Sequence, residues 1–346
     1  MDATHTQKGL TLANGVRGGR SILALVRQRT MVDLRGQVVV ITGGSRGLGL
    51  ALAEEYVHQG ARIVLCARDE QELEHAREML ASQGAQVLAI PCDLRDREQV
   101  EQLIDQATKR CGRIDILVNN AGIMSVGPVM TQTLNDYEES LQVLFWGPVY
   151  ATLAVLPQML QRKQGCIVNI SSIGGKVSIP HLLPYSSAKF ALTGFSEGLY
   201  TELAKEGIRV VTVTPGLMRT GSALHAFFKG KHHDEYTWFS IAASLPVLSI
   251  SARKAAQRIV QATRKGRVEM TLTLPAGVLI FLHGLFPTLT IKMLGLIDRF
   301  LPRAGQVQGL DRREGRASET ALSQSFVTTL GQRAARAYNQ EGDGGR

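Results

Sequence analysis

Buried strands and helices alternate through most of this chain, and that alternation limits the fold more than any other feature. Short β-branched and aliphatic runs recur about every 25 residues between Gly36 and Pro215, with helical patterns between them. The runs lack the apolar–polar alternation of half-exposed strands, so they predict strands buried on both faces. Such strands, joined by helices, form a doubly wound parallel α/β sheet with right-handed crossovers and helices on both faces. The predicted strands are 38–42, 62–66, 87–90, 114–118, 166–170 and 209–213, with a candidate last strand at 267–273.

Composition narrows the class of protein and of partner. The chain has 346 residues, of which 44% are hydrophobic and 20% charged, which suits one large domain with extensions. The net charge of +9 permits anionic partners such as a phosphorylated cofactor or an acidic membrane. The basic residues fit no zinc-finger, RNA-recognition or basic-zipper pattern, so we expect no nucleic-acid partner. The four cysteines lack metal-ligand spacing, which predicts a reducing, cytoplasmic setting and no metal site.

Changes in composition divide the chain into four parts. Residues 1–30 are polar and basic, and we interpret them as a flexible extension, with a membrane-contacting arm as the alternative. Residues 31–273 carry the alternating pattern and form the central domain. Residues 274–302 are apolar or amphipathic, and residues 303–346 form a polar, glycine-rich tail that we predict to be disordered.

The apolar part has three interpretations. Residues 270–291 contain no charged side chain, but Pro275 and Pro287 interrupt them, and an amphipathic pattern follows over 289–301. The segment could anchor the protein in the membrane interface, cover the substrate cleft or a dimer contact as a helical flap, or span the bilayer. We therefore predict peripheral membrane contact through 270–302 and leave the flap and the span as alternatives.

A glycine-rich turn, Thr42–Gly49 (TGGSRGLG), follows the first strand and opens a helix. Glycine permits a tight turn, a close approach of the backbone to a pyrophosphate, and close packing of helix against sheet. The helix N-terminus offers free N–H groups and a positive dipole end to phosphates. The turn therefore predicts a dinucleotide site.

Two arginines indicate which dinucleotide binds. The end of the second strand, which faces the adenosine ribose in such folds, reads Cys66-Ala67-Arg68-Asp69 and lacks a terminal acid. Arg68 and Arg46 can pair with a 2′-phosphate through their guanidinium forks. Asp69 opposes this by charge, but its position predicts that it caps the next helix. The cofactor predicted is NADP(H).

Tyr185 and Lys189 lie four residues apart, on one face of a predicted helix. Ser172 precedes them by thirteen residues and directly follows a predicted strand. A strand end, a loop and a helix can bring the three groups together at the carboxyl edge of the sheet, where open α/β proteins bind ligands.

Taken in order, these motifs resemble those of the short-chain dehydrogenase/reductase family. The matching residues are Thr42–Gly49, Asp93, 119–122 (NNAG), Ser172, Tyr185 with Lys189, and Pro215 with Gly216. The resemblance covers roughly 34–273 and implies a Rossmann-like, single-domain oxidoreductase that transfers a hydride between NADP(H) and a carbonyl or secondary alcohol.

The resemblance also implies residue roles. Tyr185 is the general acid/base, Lys189 lowers the pKa of Tyr185 and binds the nicotinamide ribose, and Ser172 orients the carbonyl. The cofactor site, with the two arginines included, comprises Thr42, Gly43, Ser45, Arg46, Gly47, Leu48, Gly49, Arg68, Asp93, Leu94, Asn119, Ala121, Gly122, Tyr185, Lys189, Pro215, Gly216 and Thr220. Family members are commonly homo-oligomers, so the resemblance implies one here.

One position departs from the family pattern. Leu144 stands where many members have an asparagine that holds a water of the proton relay. Leucine can neither donate nor accept a hydrogen bond. The alternative to an enzyme is therefore an NADP(H)-binding regulator or membrane scaffold with little turnover.

The segment 216–250 follows the sixth strand and should cover the substrate. An apolar pocket for a hydrophobic or lipid-like ketone or alcohol is predicted by its aromatic and aliphatic residues, which are Phe227, Phe228, Trp238, Phe239, Leu217, Met218 and Leu224. We expect the basic residues of the segment to be solvated and not catalytic; these are Lys229, Lys231, His232 and His233.

Overall fold

Strand β1 is the centre of the fold, because each of its five residues is buried between two layers of helices. The computed structural model describes residues 31–304, 311–320, 323 and 328–340, all in the compact unit that begins at Met31. Within that part of the chain, seven parallel strands form a sheet in the order β11-β7-β6-β4-β1-β2-β3. The strands are β1 Val38–Thr42, β2 Arg62–Ala67, β3 Val87–Pro91, β4 Ile116–Asn119, β6 Gly165–Ile170, β7 Ile208–Thr214 and β11 Glu269–Thr271. This confirms the predicted doubly wound, Rossmann-like sheet, whereas the predicted extension at 1–30 lies outside the described residues.

Helices cover both faces of the sheet. The helices α1, α2 and α8 pack on one face and α3, α5 and α6 on the other, each group with its own apolar core. Their bounds are α1 Gly47–His58, α2 Glu70–Ala81, α3 Arg97–Cys111, α4 Leu134–Leu141, α5 Gly147–Arg162, α6 Leu183–Leu203, α7 His232–Ser244, α8 Ala252–Lys265, α9 Leu274–Leu285, α10 Pro287–Asp298 and α11 Thr329–Ala337. Asp69 caps α2 by accepting a hydrogen bond from the Glu72 N–H at 2.9 Å, as the sequence predicted.

Helices α4 and α5 join through a π-helical turn, Gln142–Trp146. The resulting helix, Leu134–Arg162, is long and apolar enough to cross a membrane by length and composition. Half of its apolar window is buried in the protein, and core helices pass the same test, so this is weak evidence for a span. The turn places Leu144 inside the protein, where its side chain is fully buried.

The covering segment, which we define as residues 216–250, has a small core of its own. Phe228, Tyr236 and Phe239 are buried there against Val126. The segment contains β8 Leu217–Arg219, β9 Phe227–Phe228, α7 and most of β10 Ser249–Ser251, and β9 pairs with β5 Ser125–Val126 and β12 Arg313–Glu314. The expectation that all its aromatic residues line a pocket is therefore wrong for Phe228 and Phe239, which hold the segment together.

An ion pair fastens the covering segment to α4. Lys229 was expected to be solvated, yet its side chain is 3% exposed and its ammonium bonds the Asp136 carboxylate, itself 2% exposed. Asp136 also accepts from the Thr133 hydroxyl at 2.7 Å. Burial acts to raise the pKa of Asp136, but the hydrogen bonds from Lys229 and Thr133 hold that pKa below its usual value. The sequence did not reveal this pair because its members are 93 residues apart.

A second polar chain joins the covering segment to the C-terminal helices. The buried Glu235 carboxylate bonds His181 Nδ1 at 2.8 Å, and His181 Nε2 lies 3.4 Å from an Asp298 carboxylate oxygen at the end of α10. The Trp238 indole N–H donates to Glu235 at 2.7 Å. One buried histidine thus connects three segments that are distant in sequence.

The described part of the C-terminal tail is structured, contrary to the predicted disorder. Residues 311–320 include β12, and residues 328–340 include α11. Ala335 of α11 is buried, and a Cβ added to Gly221 would lie 2.6 Å from the Ala335 Cα. The polar composition of the tail predicted disorder. The prediction failed because the tail is buried by contacts with the covering segment, more than a hundred residues away, which composition does not indicate.

Lys229→Met should destabilise the protein, because it leaves the Asp136 carboxylate buried without its cation. We expect the free energy of unfolding to fall by about 3–5 kcal/mol, measured by chemical denaturation at neutral pH. The control is Lys231→Met, which removes an exposed lysine two residues away. Equal stability of the two variants would show that the buried pair contributes nothing.

Candidate active site

The carboxyl ends of β1 and β4 are joined by one hydroxyl group. Thr42 Oγ1 accepts hydrogen bonds from the backbone N–H groups of Asn120 and Ala121, at 3.0 and 3.1 Å. The Asn120 amide returns two hydrogen bonds to the carbonyls of Thr42 and Gly43, at 3.0 and 3.1 Å. The glycine turn and the NNAG turn therefore form one rigid unit at the edge of the sheet.

The glycine turn has the close packing that its sequence predicts. Gly43 has φ +63°, and a Cβ on it would lie 2.7 Å from the Ala121 Cα. A Cβ on Gly49 would lie 1.9 Å from the Gly43 carbonyl oxygen. Side chains at either position would push the first turn of α1 away from the sheet. The turn therefore fits a dinucleotide cofactor, because it brings a helix N-terminus and its backbone donors to the carboxyl edge.

The adenosine end of the site contains more ion pairs than the sequence indicated. The Arg46 guanidinium is 2.6 Å from a Glu72 carboxylate oxygen, and Arg68 is exposed. Asp93 is held by Arg95 at 2.5 Å. Burial acts to raise the pKa of Asp93, but Arg95 and Arg68 hold it below its usual value. Glu72 and Arg95 were not singled out from the sequence, although Glu72 stands in the first turn of a helix that follows the predicted ribose-facing strand.

The other predicted cofactor residues lie where the strands end. Asn119 is buried at the end of β4, where its amide donates to the Asn169 side chain at 2.8 Å. Pro215 follows β7, and its carbonyl accepts from the Ile173 N–H at 2.7 Å. Thr220 is buried after β8. Leu48 lies in the first turn of α1. The remaining residues of this set sit in the turns after β1, β3, β4 and β7; they are Ser45, Leu94, Ala121, Gly122 and Gly216.

Tyr185, Lys189 and Ser172 come together at the same edge. The Lys189 ammonium lies 5.8 Å from the centre of the Tyr185 ring, one turn along α6. The Tyr185 hydroxyl shares a hydrogen bond with the Ser172 side chain. Ser172 Oγ also accepts from the Gly174 N–H at 3.0 Å, which fixes the orientation of the hydroxyl. The predicted catalytic constellation is therefore assembled: a phenol, an ammonium group and a hydroxyl.

Burial shifts the pKa values of Lys189 and Tyr185. It lowers the pKa of Lys189 to about 7, and the Lys189 ammonium donates to the Ile170 carbonyl at 2.7 Å. Burial also raises the pKa of Tyr185, while the hydrogen bond with Ser172 acts in the opposite direction. Desolvation of the phenol therefore dominates the pKa of Tyr185 in this structure, and a lowering of that pKa by Lys189 stays a prediction.

Leu144 packs against the NNAG turn and does not face the relay. A Cβ on Gly122 would lie 3.5 Å from Leu144 Cδ2. The side chain fills an apolar space at the centre of the π-helical turn. The π-helical distortion is present at this position, but the Leu144 side chain supplies no polar group to the site.

Tyr185 packs at the edge of the apolar core of the covering segment. Its side chain is partly buried against that core, as are Met124, Ile179 and Leu224. Apolar residues therefore lie on the side of Tyr185 that faces the covering segment, and Leu224 is among those that the sequence predicted.

Comparison with known proteins agrees with this geometry. A family model described as short chain dehydrogenase matches residues 37–227. The chain is 31% identical over 300 residues to dehydrogenase/reductase SDR family member 7B of Mus musculus, covering 85% of this chain and 91% of that protein. It is 35% identical over 191 residues to the fatty acyl-CoA reductase of Acinetobacter baylyi, covering 54% of this chain and 64% of that protein, less than two thirds.

A solved structure shows the same fold. The L-sorbose reductase of Gluconobacter frateurii, complexed with NADPH and L-sorbose, superposes with a TM-score of 0.63 and 28% identity. The match covers 70% of this chain and 97% of that one.

Replacing Lys189 with methionine should change how stability depends on pH. Below about pH 7 the ammonium is charged in both the folded and the unfolded chain, so the wild type bears the full cost of burying that charge. Between about pH 7 and the usual lysine pKa of 10.5, the folded group is neutral while the unfolded chain still binds the proton, so stability rises with pH. Lys189→Met does not bear this cost, so its free energy of unfolding should exceed that of the wild type below about pH 7. The difference should shrink by about 1.4 kcal/mol per pH unit above about pH 7.

Chemical denaturation at about pH 6 and about pH 9 would measure this difference. Lys205→Met, which removes an exposed lysine, corrects for the loss of one lysine from the chain. A gap between Lys189→Met and the wild type that does not change with pH would mean that the Lys189 ammonium is not desolvated.

Proposed function

The chain belongs to the short-chain dehydrogenase family, and on that premise we propose that it is an NADP(H)-dependent oxidoreductase that interconverts a hydrophobic ketone and the corresponding secondary alcohol. The observation that carries the proposal is the assembly of Tyr185, Lys189 and Ser172 at the carboxyl edge of the sheet, beside the glycine turn. The residues that would hold the cofactor are those of the glycine turn, the NNAG turn and the loop from Pro215 to Thr220.

The three side chains divide the work of the reaction. When bound, the nicotinamide supplies a hydride to the carbonyl carbon or accepts one from the alcohol carbon. Tyr185 gives its phenolic proton to the carbonyl oxygen in the reducing direction and takes it back in the other. Ser172 donates its O–H to the same oxygen, while the hydrogen bond from the Gly174 N–H to Ser172 Oγ holds the side chain in place. Lys189, when protonated, stabilises the phenolate that forms after the transfer.

Arg46 and Arg68 support NADP(H) over NAD(H). Both lie beside the end of β2, where a ribose 2′-phosphate would sit, and Arg68 is exposed and available for pairing. Glu72 opposes the preference by holding Arg46 at 2.6 Å. A 2′-phosphate must therefore compete with this carboxylate for one guanidinium. The structural relative from Gluconobacter frateurii was solved with NADPH.

The apolar wall beside Tyr185 supports a hydrophobic substrate. Tyr185 shares the apolar core of the covering segment with Met124, Ile179 and Leu224, which all pack against it. A long-chain or cyclic ketone would bury its apolar surface there, which favours binding in proportion to the area removed from water. One relative is a fatty acyl-CoA reductase.

The hairpin of α9 and α10 supports membrane contact. Each helix has 12 residues, about 18 Å at 1.5 Å per residue, which is too short to cross a bilayer core of about 30 Å. The hairpin buries only Ala276 and Thr290 and exposes a continuous apolar surface. Its exposed apolar residues are Leu274, Val278, Phe281, Leu282, Leu285, Phe286, Leu289, Ile291, Met293, Leu296 and Ile297. We therefore favour anchoring in the interface over a span.

Basic residues beside the apolar surface fit an anionic membrane. Lys292, Arg299 and Arg303 are exposed around the end of the hairpin, with Asp298 as the acidic neighbour. This combination is typical of helices that lie in the plane of an anionic interface. A Cβ on Gly216 would lie 3.1 Å from the Ala276 Cβ, so the hairpin begins beside the proposed nicotinamide site. A lipid-like substrate could therefore reach Tyr185 from the bilayer surface.

Leu144 supports a second candidate function, an NADP(H)-binding regulator or scaffold with little turnover. The buried side chain offers no hydrogen bond to a relay water. A π-helical turn lies at this position, and such turns are frequent at functional sites. Because Tyr185, Lys189 and Ser172 are assembled, we favour the enzyme.

The enzyme should consume NADPH in the presence of a hydrophobic ketone. The loss of nicotinamide absorbance measures this consumption. Tyr185→Phe removes the proton donor and should lower kcat by about 10²–10⁴-fold. Tyr200→Phe, on the same helix, is the matched control and should retain activity. Arg46 and Arg68 predict a kcat/KM at least about tenfold higher with NADPH than with NADH.

Each alternative has its own outcome in this assay. Preference for NADH would refute the argument from the arginines. Faster turnover of a small polar ketone than of any long-chain ketone would refute the hydrophobic substrate. Tight binding of NADPH with no turnover across the ketone panel would establish the regulator in place of the enzyme.

The hairpin should bind vesicles that contain phosphatidylserine. Substituting serine for three exposed residues, Phe281, Leu285 and Leu289, should weaken co-flotation of the full chain by at least about tenfold. A control with serine at Met130, Leu134 and Val247, which are also exposed and apolar, should bind as the wild type does.

Sedimentation of the same variants separates the flap or dimer interpretation from the anchor. Membrane contact would be overturned if the wild type does not float with vesicles but forms a dimer, and if the hairpin substitutions dissociate that dimer. It would show that a second copy covers the apolar surface.

A further inference from the structure

The end of the described chain lies across the glycine turn. We define the C-terminal strap as Tyr338, Asn339 and Gln340. The Gly47 N–H donates to the Tyr338 carbonyl at 2.9 Å, and the Asn339 amide donates to the Ser45 carbonyl at 3.1 Å. The strap thus engages a backbone donor at the N-terminus of α1, the group that this kind of turn offers to a phosphate.

The side chain of Gln340 fills the groove above the turn. Gln340 is 3% exposed. A Cβ on Gly47 would lie 2.5 Å from Gln340 Nε2 and 3.9 Å from the Thr220 Cβ. The carboxamide therefore occupies the space between the glycine turn and Thr220. In the proposed site, a dinucleotide diphosphate must pass between these two points to join the adenosine and nicotinamide halves.

A histidine and an arginine donate hydrogen bonds to the backbone of the strap. The Gln340 carbonyl oxygen accepts from His225 Nε2 at 2.8 Å and from an Arg316 guanidinium nitrogen at 2.9 Å. Burial, with Arg46 and Arg316 nearby, lowers the pKa of His225 to about 4, so the neutral ring donates this bond. Several donors aimed at one oxygen, with two guanidinium groups close by, match the environment of a phosphate oxygen.

We propose that the C-terminal strap is an intramolecular competitor of the cofactor diphosphate. The carbonyl oxygens of Tyr338 and Gln340 take the donors of Gly47, His225 and Arg316, and the diphosphate takes the same donors when the strap leaves. Arg316 and His225 are then cofactor-binding residues of the open form. The proposal rests on the proposed function, because it requires a dinucleotide at the glycine turn.

Two features make the docked strap displaceable. Gln340 Oε1 is buried and has no hydrogen-bond partner among the described residues, so the docked carboxamide is incompletely satisfied. A cavity of about 400 Å³ lies between α11 and the covering segment, lined in part by Leu224, Ala243 and Gly331. The helix that leads into the strap thus borders open space on that side, apart from its close contacts through Ala335 and Gly331.

The affinity for NADPH tests the proposal without any substrate. Isothermal titration would compare the full chain, a chain that ends at Ala337, and a chain that ends at Gln340. Removing the strap should lower the dissociation constant by about tenfold. Only the form with the strap undocked binds NADPH, and without the strap the whole population is in that form. The chain that ends at Gln340 keeps the strap and is the matched control, so it should bind as the full chain does.

A variant of unchanged length guards against misfolding of the short chain. Asn339→Ala with Gln340→Ala removes the side-chain contacts of the strap and should also tighten binding. A peptide of residues 328–340, added to the chain that ends at Ala337, should weaken NADPH binding.

The outcomes separate the strap from the proposed function. Equal affinity of all chains for NADPH would overturn the strap and leave the cofactor assignment intact. Weaker binding by the shortened chain would also overturn it, since the strap would then clamp the cofactor and not compete with it. If no form of the chain bound NADPH or NADH, the proposed function would fail, and the strap proposal with it.

Discussion

The Thr42 hydroxyl holds together the edge of the sheet on which the proposed chemistry depends. It accepts from two backbone N–H groups of the NNAG turn and so couples the ends of β1 and β4. Parallel strands place their carboxyl ends at a common edge, but only close contact between neighbouring turns makes that edge a defined crevice. Gly43 permits the contact, since a Cβ there would collide with the Ala121 backbone. The candidate catalytic residues lie at the same edge as this unit.

Desolvation sets the chemistry of the crevice. The same burial that lowers the pKa of Lys189 to about 7 raises that of Tyr185, so the proton affinities of the two groups move apart. Above about pH 7 the pair is therefore a neutral amine and a neutral phenol, and charge appears as the phenolic proton is transferred. An electrostatic contribution that arises at that stage acts on the transition state more than on the ground state.

Local patterns predicted the fold and the catalytic residues, whereas long-range contacts were not predictable. The buried run 38–42, the glycine turn and the Tyr185–Lys189 spacing are each short and carry their own physical reason, and the parallel sheet follows from their order. Lys229 was misjudged because a lysine in a polar stretch is usually solvated, and nothing near it in sequence identifies Asp136 as its partner. The contact of Asn339 with Ser45 spans 294 residues and has no sequence signal.

The buried His181 connects the apolar hairpin to the helix that carries Tyr185. It bonds Glu235 of the covering segment, its Nε2 lies 3.4 Å from Asp298 at the end of α10, and it precedes Tyr185 by four residues. A displacement of the end of α10 therefore acts through one imidazole on the loop that leads into α6. If the hairpin binds a membrane as proposed, that binding and the position of the Tyr185 phenol are mechanically coupled.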